Sequence, residues 1–268
     1  MTRRPAQEIA DALRTEILAG TLAPGDQIPS EHELARTFDT TRTSAQRAIA
    51  TLRSEGHLIS EHGRGTFVRP RPSIRMLATG GIYRQRQATG QTNFAAEAAA
   101  QGMHASRELQ HVGPVPAPAH IAERLGCDEG STVIVRRQLF LIGGQPMQTA
   151  SAYYPAALVA GTPIEHARAT KGSAMSIIED PNGPIRRQLG QFIEDLDIRM
   201  PTPDETATLN IPPGVPVART LRTALDTNGD SLEVLDSLLP ADRYLFRYVI
   251  DVPPPAASQR PDSRALPN

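Results

Sequence analysis

Three residues, Asp39-Thr40-Thr41, are all that separate two stretches of this sequence that each read as helix. So short a connection forces two helices to cross steeply while their apolar sides stay in contact. The upstream stretch opens on Ser30-Glu31-His32-Glu33, a capping box with Glu33 at the third helical position. Leu34, Ala35 and Phe38 form its apolar side. The downstream stretch, RTSAQRAIATLRSEG, takes Thr40 or Thr41 as its cap and ends at Gly56. Ala45, Ala48, Ile49 and Leu52 make one buried stripe along it.

The flanks narrow the choice further. Residues 5–19, PAQEIADALRTEILA, space Ile9, Leu13, Ile17 and Leu18 as an amphipathic helix, with Pro5 in its first turn and Gly20 at its end. After Gly56 come two short strands, HLIS and TFV, joined by EHGRG. Helix, helix, tight turn, helix and hairpin are the parts of a winged helix-turn-helix. Off the buried stripe of the third helix lie Arg42, Thr43, Gln46 and Arg47, all within its first two turns. Arginine can grip guanine and glutamine can pair with adenine, each giving about 1–3 kcal/mol of discrimination. The Thr41 and Ser44 hydroxyls suit phosphate oxygens at the helix N-terminus. In the hairpin, Gly63 and Gly65 let the backbone approach a duplex closely and project Arg64 and His62, with Thr66 alongside. Ser30 and Glu31 complete the candidate DNA contacts. The charge agrees: residues 40–72 hold six arginines against two carboxylates, although the whole chain carries only −1.

Residues 69–76, RPRPSIRM, read as a linker, and PPPAASQRPDSRALPN reads as a disordered tail. Between them lies a faint internal repeat: AERLGCDEGSTVIVRRQLFLIGGQPMQ against ATLNIPPGVPVARTLRTALDTNGDSLE. Each copy has a helix end, a turn closing on Gly130 or Gly214, a valine-rich strand, a Gly-containing hairpin and a return strand. Two such units predict an α+β domain with an antiparallel sheet and helices on one face. In the strand 133–141 the odd positions form one face, so Arg137 lies among Val133, Val135, Leu139 and Leu141. An arginine there needs a partner, either an internal carboxylate or that of a ligand. The repeat also aligns Gln148 with Glu233 on the two return strands, where they could flank one cavity.

From Ala6 to Val68 the chain resembles the winged-helix domain of the GntR family of bacterial transcriptional regulators. EIADALRTEILAGTLAPGDQIPSEHELA, TTRTSAQRAIATLRSEGHLI and EHGRGTFV carry the resemblance. It implies DNA reading by Arg42 and by the wing from His62 to Thr66. Gln46 stands where the family often has arginine, with Arg47 beside it. Residues from about 91 to 251 resemble the effector-binding (UTRA) domain of the HutC branch, through FAAEAAAQGM, AERLGCDEGSTVIVRRQLFLIGGQPMQTASAYYPAAL, RMPTPDETATLNIPPGVPVARTLRTALD and DSLEVLDSLLPADRYLFRYVID. This implies a chorismate-lyase-like α/β fold and adds Ser151, Tyr153 and Ser173 to the effector candidates. Family members that bind phosphorylated sugars carry paired arginines near Gln138 and Phe140, and their absence here argues against such an effector.

The expected organisation is a DNA-binding domain over 1–70, a linker over 71–90, an effector and dimerisation domain over 91–251, and a tail over 252–268. The expected function is sequence-specific transcriptional regulation, with repression as the default. The partners are a palindromic double-stranded operator, a small-molecule effector and a second copy of the chain. A chorismate-lyase-like enzyme with an appended DNA-binding module is the alternative. No catalytic constellation, cofactor motif or metal spacing is visible, and Cys127 is a lone cysteine. With no apolar run long enough for a membrane span and no apolar stretch after the first arginines, a cytoplasmic protein is expected.

Overall fold

The computed structural model describes residues 4–70, 76–77, 93–167 and 173–248. Most of the linker expected over 71–90, and the whole tail expected over 252–268, lie outside these.

The N-terminal unit is built from α1 (Pro5–Ala19), α2 (Glu31–Thr37), α3 (Arg42–Ser54), β1 (Leu58–Glu61) and β2 (Gly65–Val68). Local chemistry sets each boundary. Pro5 starts α1 and Gly20 ends it in the left-handed region. Ser30 and Glu33 form the reciprocal capping box of α2. Between α2 and α3, Asp39 takes φ +46°, a left-handed turn that a short polar side chain tolerates and that keeps the connection to four residues, Phe38 to Thr41. The Thr41 hydroxyl accepts from the Ser44 amide to cap α3. Ile9, Leu13, Leu34, Ala45, Ala48, Ile49, Leu52, Leu58 and Val68 close one core beneath the three helices and the hairpin.

The C-terminal unit is a six-stranded antiparallel sheet. Its elements are α4 (Asn93–Ala100), β4 (Ala105–Pro116), α5 (Ala119–Leu125), β5 (Thr132–Ile142), β6 (Gln145–Pro155), α6 (Ala156–Val159), α7 (Ala174–Ile178), β7 (Leu189–Arg199), α8 (Pro203–Leu209), β8 (Val217–Asp226) and β9 (Ser231–Pro240). The strand order is β4-β5-β6-β9-β8-β7, and the whole sheet is antiparallel. The two-strand repeat is visible in it: hairpins β5–β6 and β8–β9 meet at the centre, through β6 and β9. A separate parallel pair joins β3 (Met76–Leu77) to β10 (Phe246–Arg247).

The helices do not keep to one face, which corrects the sequence expectation. Ile121, Ala122 and Leu125 of α5 pack on Val133, Val135, Tyr153 and Val234. Leu209 of α8 packs on Leu139, Val217 and Leu238 of the same face. Tyr154, next to Tyr153 and so on the opposite face, packs with Val159, Met175 and Ile178 of α6 and α7. With both faces covered, β5 and β6 are largely buried on both sides, which a repeat of helix–strand–strand units does not reveal.

The two units touch. The turn at Gly214 packs against the end of α3, where a Cβ on Gly214 would lie 2.4 Å from the Ser54 carbonyl oxygen and 2.7 Å from the Gly56 nitrogen. Arg69, the residue after β2, donates 2.9 Å to the Pro213 carbonyl and pairs with Asp242 at 3.4 Å. Asp242 belongs to a 3-10 turn, Ala241–Arg243, that follows β9.

Candidate DNA-reading head and effector face

The first turns of α3 present their polar side to solvent. Arg42, Thr43, Gln46 and Arg47 are exposed, while Ala45, Ala48 and Ile49 are buried against α1 and α2. One carboxylate organises this surface. Glu31 Oε2, at the start of α2, accepts from Arg42 Nε at 2.8 Å and from Gln46 Nε2 at 2.9 Å. Those two bonds, the Arg42 one first, hold the Glu31 carboxyl below its usual range. The Arg42 side chain remains 70% exposed, and its terminal nitrogens make no hydrogen bond among the described residues. Its fork is therefore aimed but unfilled, the state a bidentate base contact needs. Glu31 acts as the buttress of Arg42 and Gln46. Ser30 caps α2 and Thr41 caps α3, and the Ser44 hydroxyl bonds to that of Thr41, so all three hydroxyls are already engaged at the helix starts.

The wing is a four-residue ladder, from Leu58↔Val68 to Glu61↔Gly65. Gly63 takes φ +73° at its tip and Gly65 φ +121°, conformations that favour glycine. Gly65 also admits the Gln27 side chain, whose Nε2 donates to the Arg64 carbonyl at 3.1 Å. His62 and Arg64 are exposed and Thr66 half-buried. Arg64 is not a bare cation: it pairs with Glu61 and stands 5.7 Å from the Phe67 ring centroid.

Five of the six effector candidates lie on the sheet and divide between its two faces. Arg137, Ser151 and Tyr153 lie on the side of α5 and α8, in register with one another and with Val135. Arg137 is exposed, which overturns its expected burial among apolar neighbours. The reason is that Val133 and Val135 pack under α5 while Leu139 and Leu141 pack under α8, and Arg137 sits at the gap between these clusters. Tyr153 is part of the α5 core. Ser173 caps α7 by accepting from the Ser176 amide at 3.3 Å.

Gln148 and Glu233 share the other face, and both are held by tyrosines. Tyr244 OH donates to Gln148 Oε1 at 3.2 Å. Tyr154 OH donates to Glu233 Oε2 at 2.5 Å. Burial pushes the Glu233 carboxyl up against the opposing pull of that bond and of Arg222, and burial with the nearby carboxylate pushes the Tyr154 phenol well up. Between the two pairs, register brings together residues that sequence reasoning missed. One row runs Gln138↔Ala150↔Ser237↔Thr220 and the next runs Arg136↔Ala152↔Leu235↔Arg222. Arg136, buried, donates to the Ile164 and His166 carbonyls at 2.7 and 2.8 Å. Arg222 holds Glu194. Ser237 and Thr220 are buried. The signal available in the sequence was the small size of Ala150 and Ala152 between polar neighbours. No set of residues able to hold a metal ion occurs among the described residues, and none of their helices is long and apolar enough to cross a membrane.

A winged head with an aimed arginine, joined to a sheet with a polar interior face, defines a transcriptional regulator with a DNA-reading unit and an effector unit. Residues 5–68 match the model of the bacterial regulatory proteins of the gntR family, and residues 100–245 match that of the UTRA domain. The chain belongs to the gntR family, in the branch that carries a UTRA domain, and it is a transcriptional regulator. It is 29% identical over 245 residues to the transcriptional repressor NagR of Bacillus subtilis, covering 91% of this chain and 93% of that one. An uncharacterized helix-turn-helix regulator of Streptomyces coelicolor is 28% identical over 262 residues, 96% of each chain. A crystal structure of a GntR-family regulator superposes with a TM-score of 0.65 at 27% identity, over 94% of this chain and 99% of that one. PhnF from Mycobacterium smegmatis, 22% identical, has the same fold at a TM-score of 0.55, over 91% of this chain and all of that one.

Proposed function

We propose that this regulator is a repressor that binds a palindromic operator as a homodimer in the cytoplasm, and that a small molecule held on the inner face of its sheet releases it. In this reading residues 1–70 bind DNA, 71–90 link, and 91–251 hold the effector and the second copy. Each α3 enters a major groove, with half-sites about one helical turn apart. The observation that carries the reading is the Glu31 carboxylate, which aims the Arg42 fork and the Gln46 amide into solvent from the start of the third helix. Arg47, Arg64 and His62, exposed beside them, supply contacts to the duplex backbone. Gln148, Glu233, Arg136 and Gln138, with the Ser237 and Thr220 hydroxyls, line the effector site. For release, the effector must bind the DNA-free arrangement better than the DNA-bound one.

The test is fluorescence anisotropy on DNA from upstream of the protein's own gene, at several salt concentrations. Arg42→Ala should weaken specific binding by about 1–3 kcal/mol and relax the base preference, whereas Arg64→Ala should lower affinity evenly across sequences. Unchanged operator affinity and specificity in Arg42→Ala would overturn the assignment of α3.

A further inference from the structure

The wing turn is held from outside its own hairpin. β1 pairs with one side of β2, and the connection between α1 and α2 lies along the other. There Gly25 N donates to the Val68 carbonyl at 3.0 Å, Val68 N to the Asp26 carbonyl at 2.8 Å and Ile28 N to the Thr66 carbonyl at 3.0 Å. This backbone support stops at Thr66. The next residue of the connection, Pro29, has no N–H to donate, and Ser30 already caps α2. The tip of the wing, His62 to Gly65, extends beyond it.

One side chain spans the remaining distance. Gln27 Nε2 donates to the Arg64 carbonyl at 3.1 Å. Gly65 makes the room: a Cβ there would lie 2.5 Å from Gln27 Nε2 and 3.4 Å from its Cδ, and would push the amide off the carbonyl. The second glycine of the turn therefore serves twice, through its φ of +121° and through the passage it leaves for Gln27. Gln27 is itself exposed, so its bond competes with water and adds little to the stability of the fold. The Arg64 amide closes the turn by donating to the Glu61 carbonyl at 3.1 Å, and its guanidinium rests on the Glu61 carboxylate near Phe67. Arg64 is thus fixed by its carbonyl, its amide and its side chain.

We propose that Gln27 is a positioning residue for DNA binding, a latch that holds the wing turn so that Arg64 meets a phosphate of the duplex. A hairpin of four residues a side is too short to order its own tip. An arginine on a loose turn must be ordered as the complex forms, which weakens binding; on a latched turn it is ordered beforehand. The latch is uncharged, and this gives it a signature that a direct contact lacks. Losing an arginine–phosphate contact lowers the slope of log affinity against log salt by about one. Losing a hydrogen bond from Gln27 itself to a phosphate would weaken binding and leave that slope alone, because a neutral amide displaces no counterion. A latch makes a different prediction: removing an uncharged side chain removes the salt dependence of a charged one.

This inference rests on the reading of Arg64 as a contact to the duplex backbone, and the experiment separates the two. Fluorescence anisotropy on a random-sequence duplex, over a range of salt, is run on the full-length protein, on Gln27→Met, on Arg64→Ala and on the double variant. Methionine keeps the length of the side chain and removes its donor. Gln27→Met should bind about three- to tenfold more weakly, the range over which one hydrogen bond moves an equilibrium, with a salt slope lowered toward that of Arg64→Ala. It should unfold at the wild-type urea midpoint. In the Arg64→Ala background the same substitution should change little, because the latch then has no cation to place. An unchanged slope in Arg64→Ala overturns the wing contact and the latch together. A lowered slope in Arg64→Ala beside an unchanged slope in Gln27→Met overturns the latch alone. So does a loss from Gln27→Met that persists in full without Arg64, and a lowered urea midpoint would assign Gln27 to the fold instead.

Discussion

Replacing Gly214 by alanine tests the contact between the two units. Gly214 has φ +74°, where an L side chain costs about 1–2 kcal/mol. The new Cβ would also lie 2.4 Å from the Ser54 oxygen, 2.7 Å from the Gly56 nitrogen and 2.9 Å from the Arg53 oxygen. All three are backbone atoms at the end of α3, so no flexible side chain can yield. Forcing a methyl into a packed site costs about 1–3 kcal/mol more. The sum, about 2–5 kcal/mol, falls on the docked arrangement rather than on either core, because the turn and the helix end can part. Gly229 supplies the control: its φ is +89°, but nothing lies within 4 Å of its would-be Cβ, so alanine there brings the strain without the clash. Hydrogen–deuterium exchange resolves the two. In Gly214→Ala, amides around Gly56 and Asp242 should exchange about 30-fold faster or more, the factor that 2 kcal/mol represents. In Gly229→Ala those amides should keep the wild-type rate. Equal protection there in Gly214→Ala and the wild type would refute the docked contact.

Three other outcomes follow from the same geometry. Glu31→Ala should narrow the gap between operator and random DNA by about tenfold, since Arg42 and Gln46 lose their buttress while a repelling charge leaves the duplex side; anisotropy on both DNAs measures it. Tyr154→Phe should cost about 1–3 kcal/mol in urea unfolding, because the buried Glu233 carboxyl loses its donor. Glu205 is held at about 2 by its bonds from Arg199, against an ordinary 4.5. Its folded-state pKa is depressed, so its contribution is complete above about pH 4.5 and disappears as pH falls toward 2. The acid limb of stability over that window should flatten in Glu205→Gln, as followed by circular dichroism.

The winged head was legible almost residue by residue because its signals are local. The capping box at Ser30 and Glu33, the Thr41 cap and the glycines at 20, 63 and 65 each fix backbone within a few residues, and the structure places all of them as read. The role of Glu31 was harder to see: only the fold brings the first residue of α2 to the first turns of α3. The sheet was legible as a repeat; Gln148 and Glu233, which it aligns as possible flanks of one cavity, share a face but stand towards opposite ends of the antiparallel β6–β9 pairing. Arg137 misled because its burial depended on which clusters α5 and α8 cover, and sequence alternation carries no record of where helices from other parts of the chain come to rest. Arg136, the buried neighbour, and the row of Ser237 and Thr220 emerge only from the register of four strands.

Asp242, Arg243 and Tyr244 are consecutive, yet each is fastened to a different part of the molecule. Asp242 meets Arg69 at the foot of the wing, Arg243 meets the carbonyls of Leu209 and Asn210 that end α8, and Tyr244 meets Gln148 in the interior. Three peptide units thus behave like the boss of a wheel into which separate spokes are set. A shift of Gln148 cannot be absorbed locally: it either breaks the Tyr244 bond or turns the hub, and a turning hub tugs on the residue from which the wing descends.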